Sequence, residues 1–144
     1  MSYVKIWVHT VWSTKCRYPF LDQNIKRQSI DHIRENAKAK NIYIDFINGH
    51  AEHLHALISL QKEQSISNVM QLIKGESSYW INKSSFLKTK FNWQDDYFAV
   101  SIGHSQLDDV RDYIRDQEQH HKKMTWEQEV DLFIKKYGFE RIRG

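Results

Sequence analysis

The sequence has little of what cross-links, breaks or anchors a chain: one cysteine, one proline and five glycines in 144 residues. The lone Cys16 cannot close an internal disulfide, which excludes a cross-linked scaffold and fits a reducing compartment. Nothing beside it in sequence marks it as an activated nucleophile. No apolar run approaches the roughly 18 residues of a membrane span. The opening MSYVKIWVHTVW lacks the charged start, long apolar core and small-residue cleavage site of a secretory signal, so a cytoplasmic location is expected. Charge of one sign is scarce too. Against 18 Asp and Glu stand 21 Lys and Arg, a net charge of +3, which by itself does not mark a polyanion binder.

What is present is globular. A composition 40% hydrophobic, 13% aromatic and 27% charged describes a domain with a real core, and the length suits a single domain over 1–144. Tyr3 to Trp12 is rich in β-branched and aromatic residues and reads as a first strand. Asp22 is a candidate N-cap for a helix whose Ile25, Ser29, Ile33 and Ala37 recur at helical spacing. NIYIDFING alternates Ile42, Ile44 and Phe46 against Tyr43, Asp45 and Ile47, and with the following GHAEHLHALISL it predicts a hairpin. Ser65 opens a second helix with Ile66, Val69, Met70, Ile73, Ser77, Trp80 and Ile81 turned inward. YFAVSIGH, 97–104, is a last strand. Ser105 with Asp108, and Thr125 with Gln128, are capping-box pairs for two further helices, the final one ending near Gly138. The order β α β β α β plus two helices predicts an α+β fold: a ferredoxin-like, RRM-like antiparallel sheet with helices on one face and C-terminal helices beyond.

Chemistry concentrates in two places. Side chains alternate along a strand, so Leu54, Ala56, Ile58 and Leu60 make one face and His53, His55, Leu57 and Ser59 the other. Two imidazoles pointing the same way serve either as neutral ligands of a shared divalent metal or as half-exposed polar groups on an open sheet face. In the helix from Ser105, Leu107, Val110 and Ile114 form an apolar stripe, and Tyr113, Gln117 and His120 a polar one at i, i+4 and i+7. His120 and His121, ahead of Lys122 and Lys123, suit a solvated helix end and are also able to touch phosphate. KIWVHTVWSTKCRY and KSSFLKTKFNW interleave basic and aromatic residues without an acid. That pattern suits a polyanion offering bases to stack on, or a plain solvated face.

Together NGHAEHLHALISL, SISNVMQLIKGESSYWIN, FNWQDDYFAVSIGHSQLDDVRDYIRDQEQHHKK and the early HTVWSTKCRYPFL resemble, in order and over nearly the whole chain, the single-tyrosine HUH transposases of small bacterial insertion sequences. HUH denotes histidine, hydrophobic residue, histidine, here His53, Leu54 and His55; Glu52 stands where the family commonly has Asp. The resemblance implies that Tyr113 is the nucleophile and that His53, His55 and Gln117 bind Mg²⁺ or Mn²⁺. It implies cutting and rejoining of single-stranded DNA, with hairpins at element ends, through a 5′-phosphotyrosine. On that reading Trp12, Arg17, Lys83, Lys88, Lys90, Phe91 and Trp93 form the DNA contact surface. It also implies a homodimer whose sites combine the histidines of one subunit with the tyrosine helix of the other, for which the strand YIDFI offers an edge. Two rivals are an RRM-like binding module without catalysis, whose K/R-G-F/Y-G/A-F-V-x-F/Y signature is absent, and an HUH nicking nuclease of replication or mobilisation, usually a larger chain with its motifs in another order.

Overall fold

In the computed structural model, residues 1–138 are described. Four strands, β1 (Ile6–Ser13), β2 (Tyr43–His50), β3 (His53–Leu60) and β4 (Phe98–Ile102), form one antiparallel sheet in the order β2-β3-β1-β4. The hairpin is β2 with β3, and β1 lies between β3 and β4, setting Val11 opposite His55 and Ser13 opposite His53.

Helices α1 (Gln23–Ala39) and α2 (Ile66–Lys83) cover the face that carries Leu54, Ala56 and Ile58. Both begin as their sequences predict: Asp22 Oδ1 accepts from Ile25 N at 2.8 Å and Ser65 Oγ from Asn68 N at 3.2 Å, each satisfying a backbone donor that the first turn leaves free. Their stripes, Ile25, Ser29, Ile33 and Ala37 on one and Val69, Met70, Ile73, Ser77 and Ile81 on the other, are buried.

The histidine face is not open, as a sheet covered on one side would leave it. Helices α3 (Leu107–Arg115), α4 (Gln117–His121) and α5 (Trp126–Tyr137) lie over it. Trp7, Leu57, Ile102, Leu107, Val110 and Ile114 form one cluster there, and Val11, Trp126 and Phe133 another. Trp7, Val11 and Leu57 make that face too apolar to stay wet, which is the reason it gains cover.

Two local departures position the site. The helix expected to run on from Ser105 instead begins as a 3₁₀ turn, His104–Gln106, and is interrupted at Asp116, so Tyr113 and Gln117 lie on different helices. Its start is fixed by Gly103 N donating to Gln106 Oε1 at 3.2 Å rather than by a Ser105–Asp108 pair. In β2 the register slips between Ile44 and Phe46. This bulge puts Ile44 and Ile47 on the α1–α2 side while Phe46 packs on the other, breaking the simple alternation.

Three of the residues expected to contact DNA lie in the core instead. Trp12, Phe91 and Trp93 are buried among the α1–α2 side chains. Trp93 meets Trp12 and Phe91 edge-on, with centroids 6.1 and 4.7 Å apart, and its Nε1 donates to Ser77 Oγ at 2.9 Å. Packed rings of this kind close the core beneath the sheet and offer no face to a base. Arg17, Lys83, Lys88 and Lys90 are exposed. Among the described residues no helix is long and apolar enough to cross a membrane.

Candidate active site

The hairpin connection sets the position of the first histidine. Gly49 pairs with Leu54, and a Cβ at Gly49 would fall 2.1 Å from the carbonyl oxygen of His53, so only glycine permits the two strands to approach there. From β3, His53 and His55 both point under α3–α5, and both imidazoles are fully buried.

Each ring is held by one nitrogen. His53 Nδ1 lies 2.9 Å from Glu52 Oε1, and His55 Nδ1 lies 2.9 Å from His9 Nε2 on the adjacent strand. Both Nε2 atoms are thereby turned towards one space. Four more side chains enter it. Gln117, at the start of α4, brings Oε1 to 3.0 Å from His53 Nε2 and donates from its own Nε2 to the Tyr113 carbonyl at 3.3 Å. Glu129, one turn into α5, sets Oε1 2.9 Å from His55 Nε2 and Oε2 3.5 Å from His53 Nε2. The Tyr113 hydroxyl donates to Glu129 Oε1, and His121 Nε2 is hydrogen-bonded to Oε2. Trp126 lies flat on His53, ring centroids 4.0 Å apart and planes 15° apart. Outside this centre a second, half-buried group gathers His50, Glu52 and His121, with the His50 and His121 rings stacked at 4.8 Å.

The electrostatics follow from burial and from this carboxylate. Burial, opposed by the Glu129 hydrogen bond, takes the His55 imidazole down to about 4, so at neutral pH it is an uncharged ring. Burial also lowers His9 well below the ordinary histidine value, with the neighbouring His55 acting the same way. Burial acts to raise Glu129, but hydrogen bonds with His121 and His55 outweigh it and hold the carboxyl far below the usual range. Tyr113 is pushed well above the usual phenol value, first by burial and then by the charge and hydrogen bond of Glu129.

Tyr113, His53, His55 and Gln117, singled out in the sequence from two separate segments, therefore meet in one place and within one chain. His121 is no solvated helix end: its side chain is only 3% exposed. Glu129, His9 and Trp126 were not foreseen. The signal for Glu129 was an acid set between Trp126 and Phe133 on the inward stripe of an amphipathic helix, where only a partnered carboxylate is stable.

The donor set suits a divalent ion. The buried His55 Nε2 faces the Glu129 carboxylate at 2.9 Å. His53, His55 and Glu129 bring three ligand atoms within 4.8 Å of one another, and the Nδ1 atoms are engaged by partners of the kind that orient ligand imidazoles.

A buried histidine pair facing a tyrosine on an antiparallel sheet defines a site able to bind a cation beside a phenol hydroxyl. The family described as "Transposase IS200 like" matches this chain over residues 2–117. The chain belongs to that family and is a transposase of the single-tyrosine kind. It is 27% identical over 122 residues to the transposases for insertion sequence element IS200 of Salmonella typhimurium and Salmonella typhi, covering 76% of this chain and 80% of each of those. Its fold is similar to that of a putative transposase from Deinococcus radiodurans, with TM-score 0.67, 20% identity, 81% of this chain and 95% of that one. It is also similar in fold to a REP-associated tyrosine transposase bound to a REP hairpin, with TM-score 0.64, 17% identity, 91% of this chain and 83% of that one.

Proposed function

We propose that this transposase cuts and rejoins single-stranded DNA through a 5′-phosphotyrosine at Tyr113. The observation that carries the reading is the convergence of the Tyr113 hydroxyl with the His53–His55 pair around one carboxylate. In the cutting step Tyr113 Oη bonds to phosphorus, the bond from phosphorus to the 3′ oxygen breaks, the phenol gives up its proton and the 3′ oxygen becomes a free hydroxyl. The phosphotyrosine keeps a bond of similar energy, so another 3′ hydroxyl reverses the step and joins a new strand without a nucleotide cofactor. His53, His55 and Gln117 would hold Mg²⁺ or Mn²⁺, which when bound supplies positive charge to the nonbridging phosphate oxygens. Glu52 and His9 fix which imidazole nitrogen is presented.

The substrate we assign is single-stranded DNA bearing hairpins at element ends, and a relative of the same fold is described as bound to a REP hairpin. Arg17, Lys83, Lys88 and Lys90 remain the candidates for phosphate contact, and a homodimer remains the expected assembly. Incubation with labelled single-stranded DNA from the flanks of the gene, with Mn²⁺ and with chelator, tests the reading. Wild type is expected to form a covalent adduct with Mn²⁺ only. Tyr113→Phe, which removes one oxygen, is expected to form none while keeping its fold and DNA affinity. An adduct with the Phe variant would place the nucleophile elsewhere.

A further inference from the structure

A second group of ligating side chains lies on the outer side of His53, at the end of the hairpin. The connection between β2 and β3 is only Ala51 and Glu52, so His50 and His53 are cross-strand partners whose rings share one face of the sheet, centroids 6.5 Å apart. Glu52 turns back between them. Its Oε1 lies 2.9 Å from His53 Nδ1 and 3.4 Å from His50 Nδ1. His121, at the end of α4, lays its ring over that of His50 with the planes 17° apart. One ligand atom each from His50, Glu52 and His121 falls within 4.8 Å of the others.

A carboxylate that only oriented His53 would need neither of the other two rings. Both of its ring contacts are made by Oε1, which leaves Oε2 to coordinate, and His121 Nε2 is hydrogen-bonded to Glu129, which leaves Nδ1. A histidine held by a carboxylate through one nitrogen presents the other as a ligand. Two imidazoles and a carboxylate are a zinc donor set, and three protein ligands leave a fourth position for water. We propose that His50, Glu52 and His121 form a second divalent-cation site, selective for Zn²⁺ over Mg²⁺, whose ion pins the end of α4 to the hairpin turn and so steadies Gln117 against His53. The site needs neither Tyr113 nor DNA, and it is independent of the transposase reading above.

The frame for such an ion is in place. Two backbone bonds fix the turn, Leu21 N to the Ala51 carbonyl at 2.9 Å and Thr14 N to the Glu52 carbonyl at 2.8 Å. Solvent reaches the group directly: the His50 and Glu52 side chains are 36% and 17% exposed, whereas His53 and His55 are fully buried. Lys26 already links the hairpin to α4, donating to the Gly49 carbonyl at 3.1 Å and to Glu118 at 2.8 Å. An ion would add a second link between the same two elements, made of ligand bonds rather than a partly exposed ion pair.

The probe is Zn²⁺ alone, with Co²⁺ as its spectroscopic substitute, titrated into the full chain after treatment with chelator and dialysis. By calorimetry, wild type is expected to bind one more equivalent of Zn²⁺ than His50→Ala or Glu52→Gln, and an excess of Mg²⁺ is expected not to displace it. His55→Ala, which disables the buried pair, is expected to keep the equivalent that a further His50→Ala removes. Co²⁺ in His55→Ala should show the visible absorption of a low-coordinate site with nitrogen ligands, absent once His50 is also replaced. Zn²⁺ is expected to slow hydrogen exchange of the α4 amides about tenfold or more in His55→Ala and to leave it unchanged in the double variant. His50→Gln takes the place of His50→Ala where circular dichroism shows the alanine variant unfolded. Equal Zn²⁺ stoichiometry with and without His50 and Glu52 would overturn the proposal, as would displacement by Mg²⁺ or α4 exchange indifferent to Zn²⁺. Loss of all Zn²⁺ binding in His55→Ala would place the ion at the buried pair alone and overturn it equally. Absence of a covalent DNA adduct in wild type, with the Zn²⁺ results as expected, would bring down the transposase reading and leave the zinc site standing.

Discussion

His55 and His9 are neutral rings in contact at 2.9 Å beneath three helices, and the unfolded chain protonates both far more readily than the folded one. For His55 the shift runs from the model-peptide value of 6.5 to about 4. A depressed folded value means that the unfolded state binds more protons between those two pH values, so stability is fully present above pH 6.5 and is lost as pH falls towards 4. The loss for His55 amounts to about 3 kcal/mol, and His9 adds in the same direction. Urea denaturation with chelator present is therefore expected to show a midpoint that drops steadily between pH 7 and pH 5, before ordinary carboxylates titrate. A flat midpoint over that interval would mean that the rings are not buried as neutral groups. The sequence made the pair His53–His55 visible through its period of two. It could not show His9, which faces His55 only because β1 and β3 pair in one register, and registers are decided by the whole sheet.

At the scale of elements, caps and stripes were legible and interruptions were not. Asp22, Ser65 and the Thr125–Gln128 box begin their helices as their local chemistry dictates, and Gly138 ends α5 in the left-handed conformation at φ 63°. The break at Asp116 and the bulge in β2 have no proline or glycine to announce them. They arise from tertiary contacts. The bulge leaves Asp45 free to take Arg111 of α3 through both oxygens, at 2.7 and 3.0 Å, and Asn48 Nδ2 donates to the Arg115 carbonyl at 2.9 Å near the break. On the other side Lys26 reaches from α1 to the Gly49 carbonyl at 3.1 Å and to Glu118 of α4 at 2.8 Å. These contacts clamp the tyrosine helix and Gln117 to the histidine hairpin from both flanks. Arg111→Ala is accordingly expected to slow adduct formation by about tenfold or more through misplacement of Tyr113, with little change in DNA affinity. Retention of the wild-type rate would show that packing of Val110 and Ile114 positions the helix unaided.

For the whole molecule, the resemblance implies a dimer with shared sites, whereas here the histidines and the tyrosine of one chain already meet. The element between them allows no long reach in this state: Ile102 ends β4 in the Trp7–Leu57 cluster, and α3 begins five residues later with Leu107 in the same cluster. Moving α3 to a second subunit would pull Leu107, Val110 and Ile114 out of that cluster, exposing side chains worth roughly 1.5–3 kcal/mol each, and would break the Asp45–Arg111 pair. Only a partner's identical cluster, taking them in by exchange, offsets such a loss. The expected outcome follows from that cost. When inactive His53→Ala protein is mixed with inactive Tyr113→Phe protein, and exchange of subunits is confirmed by mass spectrometry, cleavage of single-stranded DNA should stay absent, because every site draws both residues from one chain. Recovery of about a quarter to a half of wild-type activity would instead require α3 to have crossed between subunits, and the variant Arg111→Ala, which loosens α3 from its own β2, should then increase the recovery rather than leave it unchanged.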